Sequence, residues 1–190
     1  MFYGCANLVN APELPATTLA KECYWGMFYD CINLVNAPTL LPATTLVQGC
    51  YQNMFNGCTS LTTAPDLLAL NLVTNCYSGM FQGCTNLNYI KAMFTTTPSS
   101  SYTNDWVDNV ASTGTFVKNI SATWNVIGVD GVPTNWIISQ PTYELVDLGL
   151  PSGTKWANMN IGANNEMEYG LYLQWADVEG YLYDESHDFR

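Results

Sequence analysis

A segment opening on Met-Phe returns at Met1, Met27, Met54 and Met80, and this recurrence limits what the chain can fold into more than any other feature. The copies read MFYGCANLVNAPELPATTLAKECYWG, MFYDCINLVNAPTLLPATTLVQGCYQN, MFNGCTSLTTAPDLLALNLVTNCYSG and a truncated MFQGCTNLNYIKAMF, at periods of 26, 27 and 26 residues. A unit this short cannot bury its own apolar face, so a core exists only where neighbouring units stack.

A repeat of this length with spaced leucines reads as a leucine-rich repeat, and the fold expected for residues 1–94 is a solenoid with short parallel strands and helical turns. Stacking would align Phe2/Phe28/Phe55/Phe81, Leu8/Leu34/Leu61/Leu87, Ala11/Ala37/Ala64/Ile90, Cys5/Cys31/Cys58/Cys84 and Cys23/Cys50/Cys76 into buried ladders. The segment from the Leu to the Ala-Pro is the best strand candidate. Pro12, Pro38 and Pro65 cannot donate to a ladder, so those strands should end at or before them. The CY-x-x-MF-x-G-C stretch is expected as a helical turn on the opposite side. Gly4, Gly57 and Gly83 sit where a turn needs positive φ, with Asp30 in the second copy, a residue that tolerates that region better than most.

The phrases C-x-x-L-x-x-A-P and MF-x-G-C resemble the BspA-type leucine-rich repeat found on bacterial surfaces; they run through residues 1–94, half of the chain. That resemblance implies a surface protein binding host or neighbouring-cell components; it carries no particular ligand with it.

Composition agrees with a recognition role. Only 11% of residues are charged, against 48% apolar, so Asn, Thr, Ser, Gln and Tyr must supply the polar surface. Such a surface favours hydrogen-bonded contacts with protein or glycan. The net charge of −11, with five scattered basic residues, excludes phosphate-backbone binding and attachment to anionic membranes. No run of apolar residues is long enough to span a bilayer.

All seven cysteines fall on repeat positions, eight apart within CY-x-x-MF-x-G-C and 18 or 19 apart between. With no C-x-x-C and a single histidine, His187, zinc is not expected. Disulfides such as Cys23–Cys31 or Cys50–Cys58 stand beside free thiols serving as small ladder fillers.

The repeat pattern ends at Phe94. Residues 95–104, TTTPSSSYTN, look like a linker, and residues 95–140 as a whole are expected to be a mostly β C-terminal cap. Trp106, Trp124 and Trp136 would cover the last repeat, with an exposed sugar platform as the rival role. The TGTFVKN phrase is similar to the tail that follows such repeats in bacterial and phage proteins. Past Gln140-Pro141 a new pattern begins. Its elements W-A-x-x-N-x-G-A (Trp156 to Ala163) and E-Y-G-x-Y-x-x-W (Glu168 to Trp175) resemble the opening of the FISUMP-type domain of secreted bacterial and gut-phage proteins. Residues 141–190 are therefore expected to be the N-terminal part of an α+β or β-rich module. Met1 falls in mid-repeat and Arg190 in mid-module, so missing chain or partner subunits are expected to cover the ends.

Catalytic constellations are absent. Glu166 and Glu168, two positions apart in a loop-like stretch, read as surface charges rather than a glycosidase pair. Asp184, Glu185, His187 and Asp188 read as a solvated acidic cluster rather than a cation site. Neither phosphate loops nor a nucleophile motif occur. Catalytic, cofactor and metal residues are accordingly expected to be none. Ligand contacts should come instead from outward columns of the stack, Val9/Val35/Thr62/Asn88 and Asn10/Asn36/Thr63/Tyr89; the second column is the ligand-binding candidate, with a self-bonding ladder as the alternative. The function expected is a non-enzymatic recognition or adhesion module on a bacterial surface, or alternatively a phage virion fibre or decoration protein.

Overall fold

The computed structural model describes residues 1–140 in full and, beyond them, only the backbone of four short strands. The chain divides into two compact units, Met1–Gln140 and Pro141–Arg190.

In the first unit five strands form one parallel sheet in chain order: β1 (Leu40–Leu41), β2 (Asp66–Leu67), β3 (Tyr89–Ala92), β4 (Thr115–Lys118) and β5 (Ile137–Ser139). Single parallel bridges link Asn10 to Asn36, Asn36 to Thr63 and Thr63 to Tyr89, extending the pairing towards the N-terminus. These bridges fall inside the predicted strand segments, but β1 and β2 lie just after Pro38 and Pro65 rather than before them. Register explains the displacement. Thr63 pairs with Tyr89 and Leu67 with Ala92, so three residues of the third copy face two of the fourth. The Ala64-Pro65 step is absorbed as a bulge because proline has no N–H for the ladder. Where Lys91 follows Ile90 in the fourth copy, β3 runs unbroken.

The expected helical turns do not form; no residue of the described chain is helical. The CY-x-x-MF-x-G-C stretch is instead a ribbon of overlapping turns in which alternate N–H groups have different destinations. Trp25, Met27, Tyr29 and Cys31 donate three residues back, to Glu22, Tyr24, Gly26 and Phe28. Tyr24, Gly26, Phe28 and Asp30 donate across to the carbonyls of Cys50, Gln52, Met54 and Asn56 in the next copy. A helix would return every N–H to its own segment, whereas this path gives half of them to a neighbour. Every fourth residue takes positive φ to make it possible: Glu22, Gly26 and Asp30, then Gly49, Asn53 and Gly57, then Asn75, Gly79 and Gly83. The prediction for Gly4, Asp30, Gly57 and Gly83 holds, with φ of 67, 53, 76 and 75°. Gly57 has a second reason to lack a side chain, because the Asp30 carboxylate occupies the space a Cβ would need.

Inside the ribbon and sheet lie the ladders. Rings of Phe2, Phe28, Phe55 and Phe81 stack at 5.5, 5.3 and 5.8 Å, and those of Tyr24, Tyr51 and Tyr77 at 5.7 and 5.9 Å. Phe28, Phe55 and Phe81 are fully buried, each contributing about 1.5–3 kcal/mol by leaving water. Leu34, Leu61 and Leu87 are equally buried, whereas Ala11 and Ala37 are only partly so.

All seven cysteines are free; Cys5 and Cys23 are exposed and the other five buried. They are more than filler. Cys31, Cys58 and Cys84 donate their S–H groups to the carbonyls of Phe2, Phe28 and Phe55 in the preceding copy, at 2.9, 3.0 and 3.0 Å. Burial holds these thiols protonated, lifting Cys58 to about 12, and it likewise lifts the buried Cys50, on the other cysteine ladder, to about 11.

The repeat does not stop at Phe94. Asn75, Gly79, Phe81 and Gly83 donate to the carbonyls of Ser101, Asn104, Trp106 and Asp108, so SYTNDWVDN occupies the place of NCYSGMFQG. Asp105 and Asn109 take positive φ where Gly79 and Gly83 do in the copy before. Trp106 and Trp124 are buried against Phe94 and Phe116, and β4 continues the sheet. Residues 95–140 thus hold a fifth, altered copy and a closing segment. Asp130 and Val129 receive the N–H groups of Asp105 and Val107, and Trp106 Nε1 donates to Gly131 O at 2.9 Å.

In the second unit β6 (Leu145–Asp147) pairs antiparallel with β7 (Lys155–Ala157), and β8 (Leu171–Tyr172) with β9 (Tyr181–Leu182). The FISUMP-like phrases of Trp156–Ala163 and Glu168–Trp175, apart from their strand backbone, lie outside the described residues. So do Glu166, Asp184, Glu185, His187 and Asp188.

Candidate functional site

Parallel register brings Asn10, Asn36, Thr63 and Tyr89 together as one row, each bridged to the next. Asn10, Asn36 and Thr63 are exposed and Tyr89 half-buried. Beside them Val9, Val35, Thr62 and Asn88 are also exposed, so both predicted outward columns do face outward. Between the columns and the ladders the alternation is direct: Ile90 is buried while Tyr89 and Lys91 on either side of it are not.

The row changes character along its length. Asn36 Nδ2 donates to Asn10 Oδ1 at 2.6 Å, so these two amides spend part of their capacity on each other. That is the self-bonding ladder anticipated as the alternative role. Towards Tyr89 the chemistry is richer. Lys91 Nζ lies 2.7 Å from Asp66 Oδ2 and both side chains are partly shielded from solvent. Partial burial raises the Tyr89 phenol above its ordinary value; the Asp66 carboxylate adds to the rise and Lys91 opposes it. Tyr89 therefore stays a neutral hydroxyl, able both to donate and to accept. Glu13 at the other end is committed to the N–H and hydroxyl of Thr39.

Two members of the face were not legible from the repeat as first divided. Thr115 continues the row by pairing with Tyr89, and Ile137, two-thirds exposed at 69%, pairs with Thr115. The available signal was the 26-residue step from Met80-Phe81 to Trp106-Val107, which also carries Tyr89 to Thr115. Loss of the Met-Phe and Cys hallmarks hid it.

The tryptophans of residues 95–140 offer no sugar platform. Trp106, Trp124 and Trp136 are 0, 4 and 7% exposed, with their ring N–H groups donated to the carbonyls of Gly131, Phe94 and Ala111. Among the described residues no three His, Cys, Asp or Glu side chains are grouped to hold a metal ion, and no helix is long and apolar enough to cross a membrane. No model of a known protein family, no curated protein and no solved structure matches this chain.

Proposed function

We propose that the first unit is a leucine-rich-repeat solenoid of the BspA type acting as a non-enzymatic recognition module, displayed on a bacterial surface, that binds protein or glycan through the outer face of its parallel sheet. The observation carrying this is the outward row of exposed Asn10, Asn36 and Thr63 and half-buried Tyr89 and Thr115, fixed in register by main-chain pairing. Side chains anchored on paired strands meet a ligand with little freedom left to lose, which lowers the ordering cost of binding. Their amide, hydroxyl and phenol groups suit a partner rich in hydrogen-bonding groups. Repetition of one set of groups along the row suits a partner with repeated groups of its own. The phrases C-x-x-L-x-x-A-P and MF-x-G-C support surface display by resemblance.

The test is binding of the whole chain to arrays of bacterial and host glycans and to immobilised extracellular-matrix proteins. Tyr89→Ala combined with Thr63→Ala is expected to weaken any binding found at least tenfold. Asn10→Ala should cost less, since its amide is shared with Asn36. Binding unaffected by the Tyr89 and Thr63 changes would reduce the sheet face to a spacer.

A further inference from the structure

The row Asn10, Asn36, Thr63, Tyr89 and Thr115 runs across the strands, so its successive members stand one strand apart. That spacing is about 4.8 Å, and the five members together span about 19 Å. A second row lies beside it on the same face, where Leu40 pairs with Asp66 and Asp66 reaches Lys91.

The charges of this face are spent within it. Lys91 Nζ is held by Asp66, and its side chain is only 19% exposed. The Glu13 carboxylate takes the N–H and the hydroxyl of Thr39. Elsewhere Lys118 donates to Trp124 O and Lys21 lies 3.6 Å from Glu22, and arginine does not occur among the described residues. An anionic glycan or acidic peptide needs cations that are not already paired, and this face offers none. A protein partner draws most of its binding energy from tryptophan, tyrosine and arginine anchors. Here Trp106, Trp124 and Trp136 are buried and Tyr89 is half-buried.

What the face does repeat is amides and hydroxyls, groups that donate and accept alike. The bond from Asn36 Nδ2 to Asn10 Oδ1 leaves the Asn10 N–H groups and Asn36 Oδ1 for a ligand. Val9 and Val35 beside these amides are 46 and 42% exposed and supply apolar contact.

We propose that this face binds a neutral, unbranched polysaccharide laid across the strands, one sugar to each copy. The proposal rests on the sheet face being the recognition surface. Hexopyranoses joined through equatorial bonds form an extended chain that advances by close to one strand spacing at each sugar. Equivalent hydroxyls of such a chain meet a row member at every copy. Its hydroxyls both donate and accept, its C–H faces are apolar, and it brings no charge that the face would have to match. A chain joined through axial bonds coils away from a straight row.

Titration calorimetry of the whole chain with β(1→4)-linked glucose and mannose oligosaccharides of two to six sugars tests this. Affinity for at least one series is expected to rise about fivefold with each added sugar, the worth of about one net hydrogen bond. It should level off beyond five sugars and be indifferent to added salt. The α(1→4)-linked glucose series and β(1→4)-linked mannuronate should bind at least tenfold more weakly. Thr63→Ala combined with Tyr89→Phe, which keeps the ring and removes its hydroxyl, should lower affinity at least tenfold while thermal unfolding stays cooperative. Failure of both neutral series, tighter binding of mannuronate, or binding to an immobilised protein alone would overturn the proposal. In the last two cases, loss of that binding in the double variant would still leave the sheet face as the recognition surface. Neutral-glycan binding that the double variant leaves intact would overturn both.

Discussion

Replacing Gly114 by Ala should destabilise the first unit far more than the loss of one hydrogen atom suggests. Gly114 does not occupy the positive-φ region, so the exchange would ordinarily stabilise by about 0.4–1 kcal/mol through the unfolded chain. Its surroundings reverse the sign. An added Cβ would lie 2.4 Å from the carbonyl oxygen of Asn88 and 2.8 Å from Trp136 Cε2, where ordinary contact begins at 3.4 Å. The sheet would have to open by roughly the difference, about 1 Å. Neither neighbour can yield cheaply. Asn88 O accepts from Thr115 N–H at 2.8 Å, Gly114 O accepts from Ile137 N–H at 2.9 Å, and the Trp136 ring is pinned to Ala111 O at 2.7 Å. Loss of two ladder bonds costs about 1 kcal/mol each, and overpacking a dense site adds about 1–3 kcal/mol. Together, less the gain through the unfolded chain, these give a net loss of about 2–5 kcal/mol. Urea denaturation of the full chain measures the total, and hydrogen exchange should show fraying first at Thr115–Lys118 and Ile137–Ser139. A loss below about 1 kcal/mol, the scale of an ordinary substitution, would refute the close-approach argument.

Two further outcomes follow from the thiol ladder. Cys58→Ala removes the S–H donor to Phe28 O and leaves a small void, and is expected to cost about 1–2 kcal/mol; Cys58→Ser keeps a donor and should cost no more than Ala. A serine variant markedly less stable than the alanine one in urea would show that the sulfur acts only as apolar filler. Alkaline pH should unfold the chain through the same groups: Cys58 and Cys76 are raised by burial from 9.0 to about 12, so the unfolded chain gives up these protons first. Their contribution is complete below pH 9 and is lost as pH rises towards 12, by up to about 4 kcal/mol per thiol. In a chain carrying Cys5→Ser and Cys23→Ser, which removes the two exposed thiols, thiolate absorbance growing in near pH 9 while the chain stays folded would contradict this.

The periodicity of the sequence determined a great deal by itself. A 26- or 27-residue period fixed which residues become neighbours, because translation by one period is the operation that stacks the copies. The Phe and Leu ladders, the outward row from Asn10 to Tyr89 and the positive φ at Asp30 all follow from position within the period. Two things belonged to the tertiary structure. Helical turns and the ribbon share the same spacing of apolar and glycine residues, and only a neighbouring copy able to accept alternate N–H groups decides between them. The fifth copy was equally hidden, since Trp106 and Val107 replace Met and Phe and nothing in their own chemistry marks them as equivalents. Their place is set by hydrogen bonds from Phe81 and Gly83 to carbonyls, and a carbonyl looks the same whatever side chain it carries.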